Sequence, residues 1–469
     1  VTTVQAPARL TREALAERGI PAASPPVRIV HLGLGAFARA HQAWYTAAVD
    51  EESEWGIAAF TGRSRATADL MAPQGGLYSL LVRSAERDDV EVVTSVVEVA
   101  DGGDLDRLVE LLRAPETAIV TLTITEPGYR LRPDGSPDLD DPAVQADVAA
   151  LRTLLGEAGD QAVHTAPTTA LGRLVLGLAH RRRIGARPIA VVPCDNMPDN
   201  GPFVRRGLVG LARLVDSADA DWIDAHVSFV STSVDRITPR TTAADIAEVR
   251  SLTGWADETP VVTEPFHDWI LSGDFPAGRP AWERAGARFV ADIEPFERRK
   301  LWLLNGAHSL LAYAGMLRGH RTVAEAIADP DLRRSVQAMW HEAAEHLDRE
   351  KLALDDYLPA LLERFENARI EHRLAQIAEE AVTKLRVRTV PVARAERAAG
   401  RDAAASGAAI AAWIALVTRG TELVDARADE VRRVAAGGDP VRALVRLLDD
   451  GLADDAAFVD VVRALLRIS

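Results

Sequence analysis

The sequence predicts an α/β domain followed by an all-helical domain, and three observations carry that reading. Short β-branched runs alternate with helical patterns up to about residue 290. A glycine-rich turn, Gly33-Leu34-Gly35-Ala36-Phe37-Ala38, follows the first of those runs at once. Beyond about residue 290 the texture changes to long Ala/Leu/Glu/Arg-rich stretches with apolar residues at helical spacing and almost no strand pattern.

Val27 to Leu32 (VRIVHL) reads as a buried strand, Trp55 to Thr61 (WGIAAFT) as a second and Thr117 to Thr125 (TAIVTLTIT) as another. Arg187 to Pro193 leads into Cys194-Asp195-Asn196, and His226 to Val234 (HVSFVSTSV) is a further strand. Strands separated by helical segments argue for a largely parallel sheet covered on both faces. Tyr78 to Arg83 and Val90 to Val99, joined by the charged turn Ser84 to Asp89, read as a hairpin inserted in this unit. Pro295 sits where a first helical turn would begin, and the helical pattern runs on to about Leu317. Ala398 to Ala408 is Ala/Gly-rich and reads as a loop or a helix start. The boundary falls near residues 280–294, giving an α/β domain over 1–288, N-terminal extension included, and a helical domain over 289–469.

Composition narrows the class. The chain has 469 residues, 48% hydrophobic and 26% charged, which is ordinary for a globular protein and excludes disorder, fibrous repeats and a small disulfide scaffold. Its net charge of −15, with no basic stripe, argues against a nucleic-acid partner. Cys194 is the only cysteine, which forbids an internal disulfide and a multi-cysteine metal site. Val1 to Pro26 lacks the basic flank and apolar run of a signal peptide, and Ala408 to Val417 is half the roughly 20 residues that span a bilayer. The expectation is a soluble, cytoplasmic protein with no membrane partner.

The glycine turn has the form G-x-G-x-x-A between a strand and a helix, the context that a Rossmann-type dinucleotide site requires. Gly33 permits the tight turn, Gly35 lets a pyrophosphate approach the backbone, and Ala38 allows close packing of helix on strand. The following helix start, at Ala36 and Phe37, favours phosphate charge. A ribose-binding carboxylate is expected after the second strand, but Gly62-Arg63-Ser64-Arg65 stands there. Arg63 and Arg65 suit a 2′-phosphate or are solvated loop charges, so the cofactor reading is NAD, with NADP possible.

Glu294 to Gly315 (EPFERRKLWLLNGAHSLLAYAG) is the most informative segment. At roughly 100° per residue, Glu297, Lys300, Asn305 and His308 fall within an arc of about 140°. Such groups on an otherwise apolar helix are costly unless they are paired or line a site. His341-Glu342-Ala343-Ala344-Glu345-His346 imitates a zinc helix, but its histidines are five apart and do not share a face; it reads as a solvated helix. No Tyr-x-x-x-Lys pair occurs, and no metal site is expected.

Taken in order, these blocks resemble the long-chain polyol dehydrogenases, which comprise mannitol 2-dehydrogenases and fructuronate reductases (D-mannonate oxidoreductases). The resemblance runs through HLGLGAFARAHQAWYT from His31, TLTITEPGY from Thr121, CDNMPDNG from Cys194, STSVDRITP from Ser231, TEPFHDWIL from Thr263 and KLWLLNGAH from Lys300. It implies that Lys300 is the catalytic acid–base and that Asn196 and Asn305 hydrogen-bond the reacting oxygen. It further implies that His308 positions substrate, with Asp235 and Glu297 nearby and Glu297 relaying protons. Thr125 and Glu126 fall with the cofactor residues. A metal-free route is consistent with this set, because a lysine can handle the proton while amides stabilise alkoxide charge. Burial beside other donors should depress the lysine from its usual value near 10.4. In RFENARIEHRLAQIAEEAVTKLRVR, His372-Arg373 and Gln376-Ile377-Ala378 resemble the fructuronate reductase pattern, and Lys384 is retained although Glu380-Ala381-Val382 replaces the family's Asp-Gly-Ser. His372, Arg373 and Lys384 are thereby implied as substrate contacts.

The expectation is an NAD(P)-dependent, metal-independent dehydrogenase of an open-chain sugar derivative, a small sugar acid or polyol, acting as a monomer or weak oligomer. D-mannonate/D-fructuronate leads and D-mannitol/D-fructose follows; a catalytically silent dinucleotide sensor is the alternative of a different class. With Asn196 from one domain and Asn305 from the other, the substrate is expected where the two domains meet.

Overall fold

The computed structural model describes residues 7–62, 64–156, 166–422 and 424–467. Two compact units emerge, one of residues 1–83 and 87–293, the other of 84–86 and 294–469.

The first unit is built on six parallel strands: β1 (Val27–Leu32), β2 (Gly56–Phe60), β3 (Val96–Ala100), β4 (Ile119–Leu122), β5 (Ile189–Pro193) and β6 (Val227–Phe229). Their spatial order is β3-β2-β1-β4-β5-β6, the doubly wound Rossmann arrangement, whose switch point lies between β1 and β4. Period-two alternation sends side chains to two cores. Val30, Leu32, Ala58, Phe60, Val120, Leu122, Ile189 and Val191 pack on one face, while Ile29, Ile57, Ala59, Ile119, Ala190 and Val192 pack on the other. Such double burial is why the strands read as continuous apolar runs.

The hairpin expected over Tyr78–Val99 is only half of what forms. Tyr78–Arg83 pairs antiparallel with Asp88–Val93, and Val261–Thr263 completes a separate three-stranded sheet. The chain then breaks at Thr94-Ser95 and re-enters the main sheet as β3. Arg12 Nη2 takes the Thr94 and Val96 carbonyls at 2.8 and 3.2 Å, and Ser95 Oγ donates to Ala43 O at 2.7 Å. These bonds satisfy the switch between sheets, and all come from distant sequence.

In the second unit a helical run passes through Glu294–Arg299, a π turn at Lys300–Asn305 and Gly306–Leu317. The helix Ala404–Thr418 is apolar all round because ten of its residues are buried in this unit. Among the described residues no helix is long and apolar enough to cross a membrane. The His341–His346 stretch is more than a solvated face. Glu342 accepts from the Ala405 and Ser406 N–H groups at 2.7 and 2.8 Å, capping that helix, and His346 Nε2 lies 2.6 Å from Glu396 Oε1. Among the described residues no group of three or more His, Cys, Asp or Glu side chains could hold a metal ion.

Candidate active site

Because the six strands are parallel, the segments following β1, β2, β4 and β5 leave the same edge of the sheet, where ligands bind in doubly wound folds. Gly33 has φ +103°, and a Cβ there would lie 2.2 Å from Thr123 O, so the fold itself demands glycine. Gly35 differs: its φ of −135° suits any residue, and the nearest atom to a Cβ would be Gly33 O at 3.7 Å. The space beside Gly35 is open, which fits a dinucleotide pyrophosphate reaching the Ala36 and Phe37 end of the helical run.

A hydrogen-bonded chain fixes this turn. His31 Nδ1 lies 2.8 Å from Thr121 Oγ1 and Nε2 lies 3.1 Å from Thr123 Oγ1, which donates to Gly33 O at 2.9 Å. Thr123 has one proton, so it accepts from Nε2–H, and Nδ1 accepts from Thr121. Burial lowers the His31 pKa to about 4, so the ring is neutral as this chain requires.

After β4, Thr125 adopts φ +68° and ψ 151°, a strained conformation for a non-glycine residue. It is held by Asp195, whose carboxylate accepts from Thr125 N at 2.8 Å, Ile124 N at 3.1 Å and Tyr129 Oη at 2.6 Å. Burial raises the Asp195 pKa against the pull of these donors. Buried Asn200 binds Thr232 O at 2.8 Å and Asp195 O at 3.2 Å, so both flanks of Asn196 are anchored while its own side chain is exposed. Glu126 is exposed beside Thr125. Asp235 is buried on the strand Ser231–Asp235, opposite Asp268 of Asp268–Ser272.

Of the arginines after β2, Arg63 lies outside the described residues. Arg65 is exposed and bonds Asp69 at 3.0 Å, four residues on, so it already has a carboxylate partner.

In the helical unit the π turn changes the face arithmetic. In a continuous α-helix Asn305 would stand about 140° from Lys300. One residue's excess in the turn takes back roughly 100°, leaving Asn305 about 40° and His308 about 20° from Lys300, on either side. Lys300 and Glu297 are half-buried, and Asn305 and His308 are buried. The His308 ring packs on Phe365 and His372, with centroids 4.8 Å away in each case. Its Nε2 is buried without a hydrogen-bond partner among the described residues. Burial, then His372, Arg364, Arg388 and Lys300, hold its pKa well below the usual value. Lys384, half-buried, donates to Ile377 O at 3.1 Å, and burial followed by Arg388 lowers its pKa. Arg373 points away from this cluster: its side chain is exposed and pairs with Glu371 at 2.9 Å.

The sequence alone gives no role to His31, Asp195 and Arg388. A histidine inside a buried strand was a signal for the first, and for the second the block CDNMPDNG marked the place but not the role.

A Rossmann sheet with an open glycine cradle, joined in one chain to a helical unit with a lysine–asparagine–histidine face, defines a dehydrogenase class. The first unit matches the mannitol dehydrogenase Rossmann domain over residues 27–284, and the second the mannitol dehydrogenase C-terminal domain over residues 292–467. The chain belongs to the mannitol dehydrogenase family, polyol and sugar-acid oxidoreductases that act on a CH–OH group. It is 35% identical to D-mannonate oxidoreductase of Escherichia coli (strain K12) over 462 residues, 93% of this chain and 92% of that protein. It is 34% identical to a mannitol 2-dehydrogenase of Aspergillus fumigatus (strain CBS 144.89 / FGSC A1163 / CEA10) over 455 residues, 92% of this chain and 88% of that one. The structure of Pseudomonas fluorescens mannitol 2-dehydrogenase with NAD and D-mannitol superposes with a TM-score of 0.79 at 31% identity, covering 98% of this chain and 96% of that chain.

Proposed function

We propose that this protein interconverts the ketone and secondary alcohol of an open-chain sugar acid, D-fructuronate and D-mannonate, with NAD(H). One observation carries the choice of a sugar acid. The buried Nε2 of His308 has no hydrogen-bond partner among the described residues and stands among His372, Arg364, Arg388 and Lys300. A buried acceptor-or-donor atom in a neighbourhood of positive charge suits a carboxylate-bearing substrate better than an uncharged polyol. The D-mannonate oxidoreductase relative supports the same reading.

Gly33, Gly35, Ala36 and Phe37 would hold the dinucleotide, with Thr125 and Glu126 beside it. Bound there, it supplies or accepts the hydride. Lys300 gives a proton to the carbonyl oxygen as the ketone is reduced and takes it back when the alcohol is oxidised. The side-chain amides of Asn196 and Asn305 stabilise the charge that develops on that oxygen, and His308 orients the substrate. Glu297 relays the proton to and from Lys300, while Asp235, His372 and Lys384 support the substrate side; Arg373, turned outward to Glu371, has the weakest case. The reaction balances as ketone, NADH and one proton giving alcohol and NAD. The mannitol reading stays second because the NAD- and D-mannitol-bound neighbour shares the fold.

A substrate panel tests both points: D-fructuronate, D-tagaturonate and D-fructose, each with NADH and with NADPH. The proposal expects D-fructuronate to lead D-fructose in kcat/KM by about ten- to a hundredfold, the worth of a charge-assisted hydrogen bond. D-fructose in the lead would overturn it in favour of the polyol reading, and NADH binding without any turnover would favour a sensor. NADH is expected to lead, with NADPH tolerated. A preference beyond about a thousandfold, roughly 4 kcal/mol, would show that Arg63 and Arg65 do not serve a 2′-phosphate.

A further inference from the structure

The turn that carries Lys300 and Asn305 is held by side chains from elsewhere in the helical unit. Gly306 N–H reaches back five residues to Leu301 O, and also to Leu303 O, which makes Lys300–Asn305 a π turn between two α-helical segments. Such turns are rare because the widened ladder is a poorer bonding arrangement than the α-helix it interrupts. Something must therefore favour it here. Trp340 Nε1 donates to Leu303 O at 2.8 Å. Arg388 Nη1 donates to Asn305 O at 3.4 Å and to Ser309 Oγ at 3.1 Å. Trp340 is buried, and the buried Nε of Arg388 has no hydrogen-bond partner among the described residues. Burial lowers the Arg388 pKa to about 10. A cation drawn into a half-buried site against neutral helix oxygens is costly, so its position calls for a return elsewhere.

The α/β unit contains a second π turn, Arg39–Ala43, and it is met in the same way. Tyr78 Oη donates to Arg39 O at 2.6 Å, and buried Arg236 Nη1 donates to Ala40 O at 2.6 Å. In both turns one aromatic donor and one arginine, Arg236 buried and Arg388 half-buried, take carbonyls of the π segment. The recurrence in an unrelated part of the chain separates a bonding requirement of the turn from an accident of packing.

We propose that Trp340 and Arg388 are positioning residues that clasp the Lys300–Asn305 π turn and so hold Lys300, Asn305 and His308 on one face. Rewinding to α geometry would rotate Asn305 and His308 by roughly 100° relative to Lys300 and shift them about 1.5 Å along the axis. A displacement of that size at reacting groups costs about a hundredfold in rate. The inference rests on the assignment of Lys300 as the proton-transfer group, and its test keeps the two apart.

Trp340→Phe removes the donor and keeps a smaller aromatic ring; Arg388→Met removes the charge and Arg388→Lys keeps a charged donor nitrogen. For each, kcat, KM for NADH and sugar, and the melting temperature are measured beside Lys300→Ala. Trp340→Phe and Arg388→Met should lower kcat by about ten- to a hundredfold while KM for NADH stays within about twofold and melting shifts by a few degrees, with Arg388→Lys recovering part of the loss. Values of kcat within about twofold of wild type in both variants would overturn the clasp. So would a kcat loss that appears only together with lost NADH binding and a collapsed melting temperature in every variant. If Lys300→Ala itself kept wild-type kcat, the underlying assignment would fail, whatever the clasp variants did.

Discussion

The two π turns differ in what the sequence says about them. Arg39–Ala43 follows the glycine turn, and all five of its residues are buried. Lys300–Asn305 leaves Lys300 half-buried and gathers the polar face. The first neighbourhood announces itself through local backbone sterics: glycines in a fixed spacing between strand and helix. The second announces only its polar side chains, since the donors that shape it lie 37 and 83 residues away. Local sterics are written in adjacent residues, whereas a helix irregularity sustained by tertiary bonds is not.

The comparison can be broken first at the glycines. Gly33→Ala forces a Cβ to 2.2 Å from Thr123 O at φ +103°. We expect it to cost about 3 kcal/mol or more of stability, read as denaturant midpoint. Gly35→Ala, with 3.7 Å to the nearest atom, should leave that midpoint unchanged and weaken NADH binding by about tenfold or more. Equal stability losses in the two variants would dissolve the distinction between a glycine the fold needs and one the ligand needs.

A smaller effect lies behind the turn. His31 titrates at about 4 in the folded protein against an ordinary 6.5. The unfolded chain therefore binds the extra proton between those values. Its contribution is whole above pH 6.5, declines as the pH falls towards 4 and changes no further below that. The full difference is about 3 kcal/mol. His41, held at about 3, and His267, at about 4, add the same sign in the same unit. Melting of wild type and His31→Gln across pH 7 to 4 checks this. The variant should show the shallower fall, and parallel curves would remove His31 from the account.

Much of the fold was legible because it rests on periodicity. Alternation within β1, β2, β4 and β5 and the glycine turn are short-range patterns, and the shift to helical spacing near residue 290 is equally local. The misread hairpin depended on Arg12, some 80 residues from Thr94 and Val96, where no periodicity reports. His341–His346 reads from sequence as a solvated helix because its partners, Glu396 and the Ala404–Thr418 helix start, are distant in sequence. In the candidate site, Lys300, Asn305 and His308 were visible as polar groups on an apolar helix. A uniform 100° step spread them over an arc that the π turn narrows. Asp195 stood beside Asn196 in plain view, yet its role depends on three donors that only folding brings to it.

The central claim is that Lys300 moves the proton while the α/β unit holds the dinucleotide. Lys300→Ala tests it in one experiment that reads both halves, with NADH binding followed by fluorescence titration and kcat measured on D-fructuronate. The account predicts an NADH Kd within about twofold of wild type and a kcat lower by about 100- to 10,000-fold, the usual contribution of a general acid–base group. A variant that turned over D-fructuronate at near-wild-type kcat would contradict it.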